Sequence, residues 1–249
     1  MQMLYDYMRV SDNDRQVWYK LGDRSFAEET LATLRKASAI LFEYFELDQP
    51  FPLVTAILAP DRGEFDRLVA DWLRIEIERP SQPSRMAQPQ RTGLVVLSPS
   101  AYEQYSTYRY ERDEYRRLLH HEMTHIFEEY LTPNMEATPR WWSEGLAAYL
   151  SGQWKYEDDY GFRQPALKGI RDGHIPDIVE IASSVELSYD WGWTIVKFIE
   201  DIHGKACIQR IVTECRNGDV LGKLGESIDS FQRDWKRWLL EDRRAVECA

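Results

Sequence analysis

Apolar residues recur along this chain with two distinct periods, and the switch between them divides it into elements. From Phe26 to Leu47, Leu31, Leu34, Ile40, Leu41, Phe42 and Phe45 follow each other at three- and four-residue intervals, which predicts an amphipathic helix. Pro50 and Pro52 end it, and Leu53 to Leu58 is a short β-prone run closed by Pro60. Helical spacing returns at Phe65, Leu68, Val69, Trp72 and Leu73. Pro80, Pro83 and Pro89 mark a connection before a second β-prone run, Thr92 to Leu97. Beyond Ser98 the pattern is almost entirely helical, over roughly 112–131, 141–152, 164–172, 189–203, 205–216 and 228–241. A small sheet with helices in the first half and a mainly helical second half make an α+β chain. No internal repeat, low-complexity tract or long linker separates the halves, so a single domain over 1–249 is expected, with an α/β lobe over about 1–130 and a helical lobe over about 131–249.

Composition narrows the function classes. Of 249 residues, 43% are hydrophobic and 29% charged, a balance that buries a core without a metal or disulfide staple. The net charge of −11 repels phosphate backbones, and basic pairs such as Arg116-Arg117 and Arg243-Arg244 sit among acids, which argues against nucleic acid as a partner. Cys207, Cys215 and Cys248 form no CxxC pair, so neither a disulfide framework nor a thiolate metal site is expected. Asp6, Arg9, Asp12, Asp14 and Arg15 interrupt the apolar residues of the first twenty positions, unlike a signal peptide, and no apolar run reaches spanning length. A cytoplasmic protein without membrane segments is the expectation, its thiols reduced and its oligomeric state undetermined.

The chemistry is concentrated at His121-Glu122-Met123-Thr124-His125. This HExxH pentapeptide places two imidazoles one helical turn apart, where they can bind one ion. Leu119, Met123, Ile126, Phe127 and Tyr130 gather on one stripe of the helix, with the histidines on nearly the opposite side. A catalytic zinc site needs three protein ligands and an open position, and Glu144 offers the third. Eighteen residues separate it from His125, within Trp141-Trp142-Ser143-Glu144-Gly145-Leu146-Ala147-Ala148. Trp142, Leu146, Tyr149 and Leu150 form the apolar stripe of that segment, and Glu144 lies opposite, beside the small residues Ala147, Ala148 and Ser151. One Zn²⁺ held by His121, His125 and Glu144 is therefore expected, with Glu122 as general base. Two imidazoles and a carboxylate suit zinc among the divalent ions.

HExxH followed after eighteen residues by glutamate in a Trp-x-x-Glu-Gly context resembles the gluzincin zinc metallopeptidases, and the aminopeptidase-like branch more than thermolysin. Where thermolysin carries Asp four residues after the glutamate, this chain has Ala148, and where aminopeptidases carry Asn before it, this chain has Ser143. No Gly-x-Met-Glu-Asn motif precedes the metal helix, so recognition of a free N-terminus is not implied. The resemblance implies a zincin-like catalytic fold and hydrolysis of peptide or protein substrates, of endopeptidase character. It also implies a transition-state hydrogen-bond donor, for which Tyr189 in Tyr189-Asp190-Trp191-Gly192 is the candidate, ahead of the loop residue His174. Substrate pairing with an edge strand is implied too, Gly93 to Leu97 being the candidate edge or else an internal strand. Tyr102, Tyr105, Tyr108, Tyr110 and Tyr115 either border the site or pack against helices. The reading from a different class is a non-catalytic zinc protein in which the same three ligands serve structure or a partner surface.

Overall fold

A computed structural model describes residues 4–156, 161–216 and 218–241. Cys248 and the Arg243-Arg244 pair lie outside the described residues. The chain forms two compact units, residues 1–126 and 127–249, and the division falls inside one continuous helix.

The first unit carries a five-stranded sheet. Its strands are β1 (Met8–Ser11), β2 (Arg15–Tyr19), β3 (Val54–Ala59), β4 (Ala87–Gln90) and β5 (Gly93–Leu97), in the order β1-β2-β3-β5-β4. The three central strands run parallel, and β1 and β4 close the sides antiparallel. Parallel neighbours need long crossovers. Helix α1 (Arg24–Phe45) supplies one between β2 and β3, and α2 (Arg62–Asp71) lies in the connection from β3 to β5. Asp61 starts α2 by accepting the Glu64 amide at 2.8 Å, directly after the proline that ends β3. Val17, Ala56, Ile57, Leu58, Leu94, Val95 and Val96 are fully buried with Leu34, Leu41, Phe65 and Leu68 of the helices. Each large side chain of that set contributes about 1.5–3 kcal/mol of burial.

Gly93–Leu97 is an internal strand. It bonds to β3 on one side and β4 on the other, which corrects its candidacy as a substrate-pairing edge. The edge next to it is β4, which the pattern of the chain did not announce. The Leu97 amide donates to Met86, so the register turns Gln88 and Gln90 toward β5 and leaves Ala87 and Pro89 facing outward. Pro89 has no amide hydrogen to present, and its carbonyl accepts the Gln88 side-chain amide at 3.2 Å. The connection before β4 is pinned by the Arg62 guanidinium, which donates to the carbonyls of Arg85, Pro83 and Tyr105.

After the short helix α3 (Tyr102–Tyr105), helix α4 (Arg112–Leu131) carries the HExxH residues. Its first turns are set by packing on α1. Tyr110 stands edge-on to Phe26, Tyr102 and Tyr115, and Tyr115 shares a 2.6 Å hydrogen bond with Thr30. Tyr102, Tyr110 and Tyr115 therefore act as packing and anchoring groups. Burial raises the Tyr115 phenol well above its ordinary value.

The second unit is helical: α5 (Arg140–Leu150), α6 (Gln164–Asp172), α7 (Ile178–Ser183), α8 (Val185–His203), α9 (Lys205–Glu214) and α10 (Ile228–Glu241). Trp142, Trp193, Trp235, Phe127 and Phe231 fill its core. Helix α8 starts four residues earlier than its apolar period indicates, because Ser184 caps it by accepting the Leu187 amide. Tyr189 thus stands one turn inside the helix instead of opening it. Cys207 and Cys215 are buried free thiols. Among the described residues no helix is long and apolar enough to cross a membrane.

Candidate metal centre

Helix α4 is buried over most of its circumference. Leu119, Met123, Ile126 and Phe127 are inaccessible, as the apolar stripe predicts, while Tyr130 is 51% exposed and leaves that stripe. The opposite face is buried too: His121 retains 5% of its surface and Glu122 7%. An imidazole and a carboxyl group are costly to bury unless they are partnered.

The one-turn spacing brings His121 Nε2 and His125 Nε2 to 3.1 Å. A tetrahedral zinc centre with Zn–N distances of about 2.0–2.1 Å has ligand–ligand edges of about 3.3–3.4 Å. The observed separation is close to such an edge. Glu144 adds a carboxylate oxygen, and the ligand atoms of His121, His125 and Glu144 all lie within 4.8 Å of one another. The three side chains are near enough to hold one metal ion between them, and two imidazoles with a carboxylate are a donor set that suits zinc.

His120 is not part of this group. Burial, with His121 nearby, lowers its pKa to about 4, so it is neutral at physiological pH. His174 follows α6 on the surface, exposed, and does not join the cluster.

Helix α5 holds Glu144 half-buried among buried neighbours on both sides. The small residues expected beside Glu144 are buried because α8 crosses here. A Cβ on Gly145 would lie 2.5 Å from the Gly192 carbonyl oxygen, and one on Gly192 would strike the Trp141 carbonyl and come 3.0 Å from Gly145 Cα. Two glycines at one crossing let the helix backbones touch. Stacking of Trp154 between Tyr149 and Trp193, at 5.6 and 5.3 Å, holds the same pair of helices. The consequence appears three residues before Gly192, where the Tyr189 hydroxyl donates to Glu144 Oε1 at 2.7 Å.

Gly192→Ala is accordingly expected to destabilise the protein by about 1–3 kcal/mol, since the obstacles are backbone atoms that cannot rotate away. Gly63→Ala is the control: an added Cβ on α2 meets only the Asp61 carboxylate at 3.4 Å. Denaturant midpoints that fall by the same small amount in both variants would show that the crossing is not tight.

Asp190, next to Tyr189, is half-buried, and desolvation followed by repulsion from Glu186 raises its pKa from 3.8 to about 6. The folded state therefore binds this proton more tightly than the unfolded chain does. Its contribution to stability is full below about pH 4 and is lost as pH rises through 6. Asp190→Asn should raise the melting temperature at pH 8 and give no gain at pH 4. An equal effect at both pH values would show that ionisation is not the cause.

One buried carboxyl group of α4, outside the three-residue group, is not among the residues the sequence pattern singles out. Glu128 lies three residues after His125 and seven after His121, hence on the histidine face of α4, and is fully buried. It accepts a hydrogen bond from Ser143 Oγ at 2.5 Å. Only its place in that i, i+4, i+7 series separates it, on paper, from the neighbouring Glu129. No protein-family model and no curated protein matches the chain, so the reading of this site rests on its own residues and geometry.

Proposed function

We propose that the protein is a zinc-dependent peptide hydrolase of the gluzincin kind, built on a zincin-like α+β fold and of endopeptidase character. The observation that carries this reading is the His121–His125–Glu144 group, with Glu122 buried in the same helix turn. His121, His125 and Glu144 would hold the ion, and a zinc ion there would supply Lewis acidity and lower the pKa of a water molecule to about 7.

Glu122 takes the proton from the attacking water and returns it to the leaving amine. Its burial keeps bulk water from competing for that proton. Tyr189, whose hydroxyl already stands at Glu144, donates to the oxyanion that develops on the scissile carbonyl. An extended peptide is received along β4, where Ala87 presents both its amide and its carbonyl. A structural zinc centre closes with a fourth protein ligand, whereas the group among the described residues has three, beside a carboxyl group that structure alone does not require.

The test is elemental analysis of protein purified without chelator or metal resin, alongside His121→Ala and Glu144→Ala. The expected result is one zinc per wild-type chain and loss of zinc in both variants. Wild-type protein that takes up no zinc after reconstitution would overturn the reading.

A further inference from the structure

We propose that Glu128 is a positioning residue: by holding Ser143, its carboxyl group fixes the turn of α5 that presents Glu144, and so sets the affinity of the site for zinc. This rests on the zinc reading above and adds to it a residue outside the ligand set.

The start of α5 needs an external fixture. Pro139 at its N-cap makes no side-chain capping bond, and the amides of Trp142 and Ser143 turn back to the Pro139 carbonyl. The first side-chain tether in the helix is Ser143 Oγ, buried, donating to Glu128 Oε2 at 2.5 Å. Ser143 is the residue immediately before Glu144. Glu128 is one turn from His125 on an unbroken helix, so its position relative to the imidazoles follows from helix geometry. One bond of this kind thus refers the third ligand to the helix that carries the first two.

Glu144 is then held from two directions. Ser143 fixes its backbone through Glu128, and Tyr189 fixes its carboxylate through Oε1. Groups that orient metal ligands in this way typically change metal affinity by about 10–100-fold when removed.

The experiment measures zinc affinity by competition with a chromogenic chelator for wild type, Ser143→Ala, Ser143→Cys and Glu128→Gln, with unfolding midpoints of the apo proteins recorded in parallel. Ser143→Cys keeps the volume and weakens the donor, so it answers the question if Ser143→Ala does not fold. Glu128→Gln keeps a side-chain oxygen that can accept the serine hydroxyl.

The expected result is a 10–100-fold loss of affinity in the serine variants and a change within threefold in Glu128→Gln, with the apo midpoints failing to rank the variants as the affinities do. Serine variants that bind zinc within threefold of wild type would overturn the inference and leave the zinc reading intact. Wild type that binds no zinc would overturn both.

Discussion

Glu122→Gln should lower turnover of a peptide substrate by about 10²–10⁴-fold while zinc content stays at one per chain. The substitution preserves size, helix compatibility and the ability to hydrogen-bond, and removes only the basicity. Glu122 is 7% exposed and lies on α4 between the two histidines. Its loss leaves the ligand set untouched but gives the proton of the attacking water nowhere to go. A fall of this size corresponds to about 3–5 kcal/mol of transition-state stabilisation. The measurement is kcat on substrates drawn from a peptide library, together with zinc content and a thermal melt. Activity within tenfold of wild type, in a zinc-loaded and folded variant, would remove Glu122 from the role of general base.

Tyr189→Phe should lower kcat by about 10²–10³-fold with little change in zinc content. The phenol is delivered by the crossing of α5 and α8 at Gly145 and Gly192, and its donor atom is 2.7 Å from Glu144 Oε1. On the proposed mechanism, a small movement of the hydroxyl from that position would exchange a carboxylate acceptor for a developing oxyanion, whose greater charge in the transition state would favour the exchange. The same geometry allows a different outcome to be recognised. If zinc affinity falls and kcat of the reloaded enzyme does not, the hydroxyl serves to hold Glu144 and the oxyanion donor lies elsewhere.

Glu128, Tyr189 and the two glycines together describe how Glu144 is presented. The carboxylate itself is half-buried, on a helix whose N-cap supplies no side-chain bond. Its direction comes from a serine hydroxyl on one side and a tyrosine hydroxyl on the other. Gly192→Ala is therefore informative beyond stability, because separating the two helices also draws Tyr189 from Glu144.

How much of this was legible in the chain varies with the range of the interaction. The long helices could be read because each carries its own period: α6 and α10 span Gln164–Asp172 and Ile228–Glu241, as the spacing of apolar residues and punctuation predict. Strands β3 and β5 were legible because each is a nearly continuous apolar run. Strands β1, β2 and β4 were not. Met8-Arg9-Val10-Ser11 is mostly exposed, and Ala87-Gln88-Pro89-Gln90 is half-exposed throughout, so neither has a hydrophobic face to announce it. They are strands because a neighbouring strand offers hydrogen bonds.

The same distinction holds at the site. Sequence by itself determined the i, i+4 histidine pair, the glutamate between them and a candidate third ligand, since helical periodicity and short spacings are local properties of the chain. Tertiary structure alone decided that β5 is internal, that Tyr130 is exposed, and that Tyr189 reaches Glu144 across 45 residues and Ser143 reaches Glu128 across 15. Those contacts are made between elements, where the packing of glycines and tryptophans sets the distance, and an interaction between separate elements leaves no periodic trace in either one.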